Sequence, residues 1–206
     1  MATIIATADT SSNFTSLAAT NGEPTLLTST TSIYTRIWWD KGSGASMDCT
    51  IYRPTPSDVR WFIVGDYAQG NNNGNPVGTS LLVLAVNDDS DNPLLKAPVK
   101  YEQIWNDRHS GGDEDGSIWR PIPPDGYKAM GCVGNQGHGA PTIDNYRCVR
   151  KDLLVDTTAN DLIWWDKNSG AYGDVAVWKL FGVDGAFVAQ GNYNAYTGGA
   201  YKLINS

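Results

Sequence analysis

The chain has 206 residues, of which 41% are hydrophobic and 18% charged, with 22 Gly, 8 Trp and 10 Tyr and a formal net charge of −7. That balance excludes a disordered or collagenous chain. The negative charge argues against nucleic acid as the main partner and against simple electrostatic attachment to anionic lipid. Three cysteines, Cys49, Cys132 and Cys148, match no zinc-ligand spacing and read best as reduced thiols. Met1–Ile5 has no charged segment leading into a long apolar run, and no stretch approaches the roughly 20 apolar residues of a membrane span. The expectation is a soluble, cytoplasmic, all-β protein.

In chain order, Thr3–Thr7 and Thr25–Thr28 read as strands, and Ser11–Phe14 reads as a loop. From residue 37 onward one pattern recurs three times. It runs Ile37-Trp38-Trp39-Asp40, Ser43-Gly44, Asp48 and Tyr52-Arg53. It returns as Ile104-Trp105-Asn106-Asp107, Ser110-Gly111, Asp115 and Trp119-Arg120, and then as Ile163-Trp164-Trp165-Asp166, Ser169-Gly170, Asp174 and Trp178-Lys179. Counting from the first Asp, the Ser-Gly pair sits at +3 and +4, the second Asp at +8, the aromatic at +12 and the basic residue at +13 in every copy. The copies span about 33–90, 100–154 and 160–206.

Each copy reads as four short strands. The first carries the Ile-Trp segment. The second is Cys49–Arg53, Ser117–Arg120 or Val175–Lys179. The third is Trp61–Val64, Tyr127–Met130 or Ala186–Ala189, and the fourth Ser80–Val86, Tyr146–Val149 or Ala200–Ile204. Turn formers separate them, and a short helical turn is expected near Leu153. Three such units predict a single-domain β-prism of three four-stranded antiparallel sheets about a pseudo-threefold axis, with a β-trefoil-like arrangement as the alternative. Alternation along the first strand places Trp38, Trp105 and Trp164 inside and Trp39, Asn106 and Trp165 outside.

The repeated loop has two readings. An Asp at a strand end that accepts nearby backbone N–H groups makes an Asx-turn, and the Gly tightens it. A carboxylate, a hydroxyl and an adjacent Trp face also suit a sugar. That second reading yields three candidate ligand sites. They are Trp39, Asp40, Ser43 and Asp48; then Asp107, His109, Ser110 and Asp115; then Trp165, Asp166, Ser169 and Asp174. Calcium fits poorly, because two carboxylates per loop fall short of its six to eight oxygens, so no metal or cofactor is expected. An Arg120–Asp115 fork is expected as a staple within the second copy. His109 and His138 enter no Ser-His-Asp order or zinc-protease motif, and no phosphate loop appears, so no catalysis is expected.

Residues 100–154 carry a more specific string. Ile104-Trp105-Asn106-Asp107, Trp119-Arg120-Pro121-Ile122-Pro123-Pro124-Asp125-Gly126-Tyr127 and Arg147-Cys148-Val149-Arg150-Lys151-Asp152-Leu153 resemble the family named for vacuolar protein sorting-associated protein 62. The resemblance implies an association with trafficking and no catalytic chemistry. The sequence thus predicts a non-catalytic, lectin-like module whose partner is a glycan or glycoconjugate. The alternative is a trafficking or toxin-like module that binds a protein or a membrane lipid.

Overall fold

The chain's short, β-branched and aromatic runs, cut by Gly- and Pro-rich turns, allow only brief strands. The computed structural model describes residues 3–6, 22–72, 74–88 and 91–204. These residues form an all-β fold of several small sheets, antiparallel but for one strand pair, with no α-helix among them. A single 3₁₀ turn covers Lys151–Leu153, as expected. The Ser11–Phe14 loop lies outside the described residues.

The strands are β1 (Thr3–Ala6), β2 (Thr25–Thr31), β3 (Tyr34–Trp39), β4 (Thr50–Pro54), β5 (Phe62–Ile63), β6 (Tyr67–Gln69) and β7 (Ser80–Val86). Next come β8 (Leu95–Lys96), β9 (Lys100–Asn106), β10 (Gly116–Ile122), β11 (Tyr127–Lys128), β12 (Val133–Gln136) and β13 (Cys148–Arg150). The last are β14 (Leu154–Asp156), β15 (Asp161–Trp165), β16 (Ala176–Lys179), β17 (Phe187–Gln190) and β18 (Tyr201–Leu203).

The repeat extends to topology. Three equivalent three-stranded antiparallel sheets have the orders β3-β4-β6, β9-β10-β12 and β15-β16-β17. A second sheet accompanies each: β1-β2-β7-β5, β8-β13-β11 and β14-β18. The four-stranded sheets expected from sequence are therefore corrected. The fourth strand of each copy leaves the repeated sheet and pairs with a strand that precedes the Ile-Trp segment. Thr25–Thr31 is thus the opening strand of the first copy, paired along its length with Ser80–Val86. In the first two copies the segment expected as third strand, Trp61–Val64 or Tyr127–Met130, contributes β5 or β11 to the second sheet. The third strand of the repeated sheet is the next run, β6 or β12.

Each repeated sheet is bulged at one equivalent place. The pairing slips at Ile37, Ile104 and Ile163, directly before the inner Trp. A bulge bends the strand and increases its twist. Trp38, Trp105 and Trp164 follow it and meet in a closed triangle. Their ring centroids are 5.5–5.7 Å apart with interplanar angles of 68–75°. This edge-to-face geometry suits the ring quadrupoles and contributes about 0.5–1.5 kcal/mol per pair beyond simple burial. The same apolar cluster takes in residues from all three copies, from Leu26 and Ile51 through Val149 to Phe187 and Leu203.

A second three-way meeting involves Gly65, Gly131 and Ala186. A Cβ added to Gly65 would lie 2.9 Å from Gly131 Cα and 3.2 Å from Ala186 Cβ. Cross-copy backbone bonds surround this contact: Asp66 N–H donates to Cys132 C=O at 3.0 Å, and Cys132 N–H to Phe187 C=O at 2.8 Å. Asp66 is fully buried beside it and accepts a fork from Arg53 at 2.9–3.1 Å and the Gly134 N–H at 2.9 Å. Cys49, Cys132 and Cys148 are free and buried, and burial pushes the Cys132 thiol up to about 11 and the Cys148 thiol to about 12. They are protonated at neutral pH and poor nucleophiles.

The crossing at Gly131 yields a test. Gly131→Ala places a methyl against the Gly65 backbone and the Val64 carbonyl. It should lower stability by roughly 1–3 kcal/mol in urea denaturation, the range of an overpacked core site.

Candidate functional site

The repeated loop is built by the same bonds three times. The Ser N–H closes on the carbonyl of its Asp: Ser43 on Asp40 at 3.0 Å, Ser110 on Asp107 at 2.9 Å and Ser169 on Asp166 at 2.8 Å. The Ser hydroxyl then accepts the N–H two residues on, from Ala45, Gly112 or Ala171. The residue between is left-handed in every copy: Gly42, His109 and Asn168 have φ of 84°, 71° and 72°. His109 thus occupies a turn position that Gly42 fills in the first copy and Asn168 in the third.

The Asp side chains do more than an Asx-turn would. Each reaches across the loop to an N–H nine residues on: Asp40 to Cys49, Asp107 to Gly116 and Asp166 to Val175, all at 2.8 Å. Each also accepts the indole N–H of the preceding copy's inner Trp. Trp38 donates to Asp107, Trp105 to Asp166 and Trp164 to Asp40, at 3.0–3.1 Å. The same indoles donate to the Glu114, Gly173 and Met47 carbonyls. Backbone bonds close the circle at the surface, from Ser46 to Lys167, from Asp113 to Lys41 and from Tyr172 to Arg108. The three loops are one interlocked cap.

This arrangement separates the twelve sequence-predicted residues. Asp40, Asp107 and Asp166 are buried, as are Ser43, Ser110 and Ser169, and all are committed to holding the cap. Burial raises the Asp40 and Asp166 carboxyls above their ordinary range, against the pull of their hydrogen-bond donors. Asp48, Asp115 and Asp174 are exposed. Trp39 and Trp165 are half-buried and carry cations: Arg36 lies 4.2 Å above Trp39, and Lys167 5.0 Å above Trp165. His109 is exposed and its ring lies 3.8 Å from that of Tyr172, in the neighbouring loop. The outward residues therefore form a rim, and the inner ones do not join it. The expected Arg120–Asp115 staple is corrected. Arg120 approaches Glu102 at 3.5 Å, while Arg36 makes the bidentate pair, across to Glu114 at 2.7 and 2.8 Å.

The outward side of each inner Asp meets a residue from the loop after the third strand. His138 Nε2 lies 2.7 Å from Asp107 Oδ1, the Asn72 side chain bonds Asp40, and the Tyr193 hydroxyl bonds Asp166 and Asp174. None of Asn72, His138 and Tyr193 is among the ligand residues predicted from the sequence. A signal was available: Gln69-Gly70, Gln136-Gly137 and Gln190-Gly191 recur just before them.

Concave surface also lies away from the cap. Three grooves run along the junctions between copies, each bounded by the end of one copy's second strand and the neighbour's segment before its fourth. Arg53, Trp61, Phe62 and Asn145 line the first, of about 540 Å³. Arg120, Lys128, Tyr196 and Tyr201 line the second, of about 360 Å³. Tyr67, Lys179, Phe181 and Asp184 line the third, of about 740 Å³. None of the twelve residues lines these grooves.

The sequence pattern described as vacuolar protein sorting-associated protein 62 matches residues 2–198. The chain belongs to that family. Among solved structures, GNIP1Aa from Chromobacterium piscinae is similar, with a TM-score of 0.72 and 33% identity, over 84% of this chain and 34% of that one. This chain therefore corresponds to about a third of GNIP1Aa. Among curated proteins none matches.

The division of the carboxylates is measurable. Asp40→Ala strands the buried Cys49 N–H, at roughly 1–3 kcal/mol, and leaves the Trp164 indole with the Met47 carbonyl alone. It should cost roughly 1–3 kcal/mol in urea denaturation, whereas exposed Asp48→Ala should change stability by less than about 0.5 kcal/mol. In a carboxyl NMR titration, Asp58, held by Arg60, should titrate at about 2, with Asp40 and Asp166 above the ordinary range. Raised values mean that the folded state binds protons more tightly there. The contribution of Asp40 and Asp166 is full below the ordinary carboxylate pKa and declines as pH rises through the raised ones.

Proposed function

We propose that this family member is a non-catalytic, lectin-like carbohydrate-binding module with a β-prism-like arrangement, and that its sugar sites are the grooves between copies. The observation that carries this reading is the third groove. Phe181, 64% exposed, offers a ring face beside exposed Lys179 and Asp184. A pyranose needs that combination: an aromatic surface for its C–H face and a donor and an acceptor for its hydroxyls. The groove recurs at each junction, so a branched glycan gains avidity from simultaneous contacts. The rim of Trp39, Asp48, His109, Asp115, Trp165 and Asp174 is the second candidate surface for the same ligand class.

On a glycan array, the folded wild type should bind. Phe181→Ala should weaken binding at least tenfold, and Asp48→Ala and Asp115→Ala should leave it unchanged. Loss in the rim variants alone would move the site to the cap, and no glycan bound by folded wild type would overturn the lectin reading.

A second reading, a trafficking or toxin-like module for a protein or lipid partner, draws on the family name and on the similarity to part of a longer chain. No helix among the described residues is long and apolar enough to cross a membrane, which says nothing about a β-barrel. Co-sedimentation with liposomes of neutral and anionic lipid tests the lipid arm. Protein left in the supernatant throughout would remove it.

A further inference from the structure

The three copies differ in how the inner Asp uses its oxygens. In the first, Asp40 divides them, Oδ1 for the Cys49 N–H and Oδ2 for the Trp164 indole. In the third, Asp166 divides them likewise between Val175 and Trp105. In the second, both donors fall on the same atom: Asp107 Oδ2 accepts the Gly116 N–H at 2.8 Å and the Trp38 indole at 3.1 Å. Asp107 is only 4% exposed, and its Oδ1 is turned toward His138 Nε2 at 2.7 Å. Asp115 Oδ1 lies 4.0 Å from the same nitrogen. Asp107, Asp115 and His138 each offer a ligand atom, and these atoms all lie within 4.8 Å of one another.

We propose that Asp107, Asp115 and His138 bind one divalent transition-metal ion of the zinc type, in the second copy only. One imidazole and two carboxylates leave a position open for water, as zinc and its neighbours accept, and are too few oxygens for calcium. The scaffold is already in place. The Gly137 N–H donates to the Asp115 carbonyl at 2.7 Å and Ser117 Oγ to the Gly137 carbonyl at 2.6 Å, which fixes the loop that carries His138. The first and third copies have Asn72 and Tyr193 where the second has His138, so neither completes the same ligand set. Glu114, beside Asp115 in sequence, is held by Arg36 and takes no part.

Arg108 sets the cost. Its Nε donates to His138 Nδ1 at 3.2 Å, so the Nε2 atom carries the imidazole proton toward Asp107. On metal binding the ring becomes the Nδ1–H tautomer. The Nε2 proton gives way to the metal, Nδ1 carries the N–H, and exposed Arg108 swings clear of it.

The test is a titration of the whole chain with Zn²⁺ by calorimetry, and with Co²⁺ by visible absorption. The wild type should bind one ion saturably. His138→Asn, the residue type of the first copy, and Asp115→Asn should each weaken binding at least tenfold with unchanged circular dichroism. Asp48→Asn in the first copy should bind as wild type. No saturable binding by the wild type, or equal binding by the His138 and Asp115 variants, would overturn the site. Both outcomes are read without any glycan.

Discussion

The structure depends on a cyclic exchange of hydrogen bonds. Each copy buries a carboxylate that its own strands satisfy only in part, and the remaining acceptor is filled by the indole N–H of the copy before it. A buried carboxylate without such donors is costly. So is a buried indole without an acceptor. No copy can bury both groups alone, because the partner always belongs to a neighbour. Mutual dependence of this kind turns three weakly cored units into one cooperative body, in the way that single repeats of an array cannot bury their faces unaided. The aromatic triangle adds contact energy, but the polar exchange sets its register.

The exchange also explains why the shared motif is poor ground for a binding site. A side chain that must accept two or three internal bonds has little left for a ligand. Chemistry is left to positions that the cap does not constrain: the loop after the third strand, the outer Asp and the junction grooves. Of these, the outer Asp is common to all three copies, and the loop after the third strand is where they diverge, with Asn72, His138 and Tyr193 against equivalent carboxylates. The second copy shows how small the divergence need be. Moving one N–H from one carboxylate oxygen to the other leaves an oxygen facing outward.

Much of this was legible in the sequence, and the illegible parts share a cause. Spacing around Asp40, Asp107 and Asp166 revealed the threefold repeat, and alternation placed the inner tryptophans in the core. Spacing could not show that a fourth strand leaves its sheet, because strand pairing is a long-range choice that two-residue periodicity does not encode. Thr25–Thr31 therefore stood apart until its pairing with Ser80–Val86 was seen. Asp66 went unnoticed for a related reason. Its partners, Arg53 and the Gly134 N–H, lie 13 and 68 residues away. The cap carboxylates looked like ligands because a sugar and a neighbouring indole make the same demand of an acceptor.

The meeting of Gly65, Gly131 and Ala186 bears on how such a protein diverges. That point in the fold holds a single methyl group among three backbones. Three alanines would collide there, and three glycines would leave a void the size of a methyl. A chain made of three identical copies would carry a clash there with alanine or a small void with glycine. The departure from perfect symmetry thus improves the packing. Breaking the repeat at this one position is worth on the order of 1 kcal/mol, the cost of the methyl-sized void it fills.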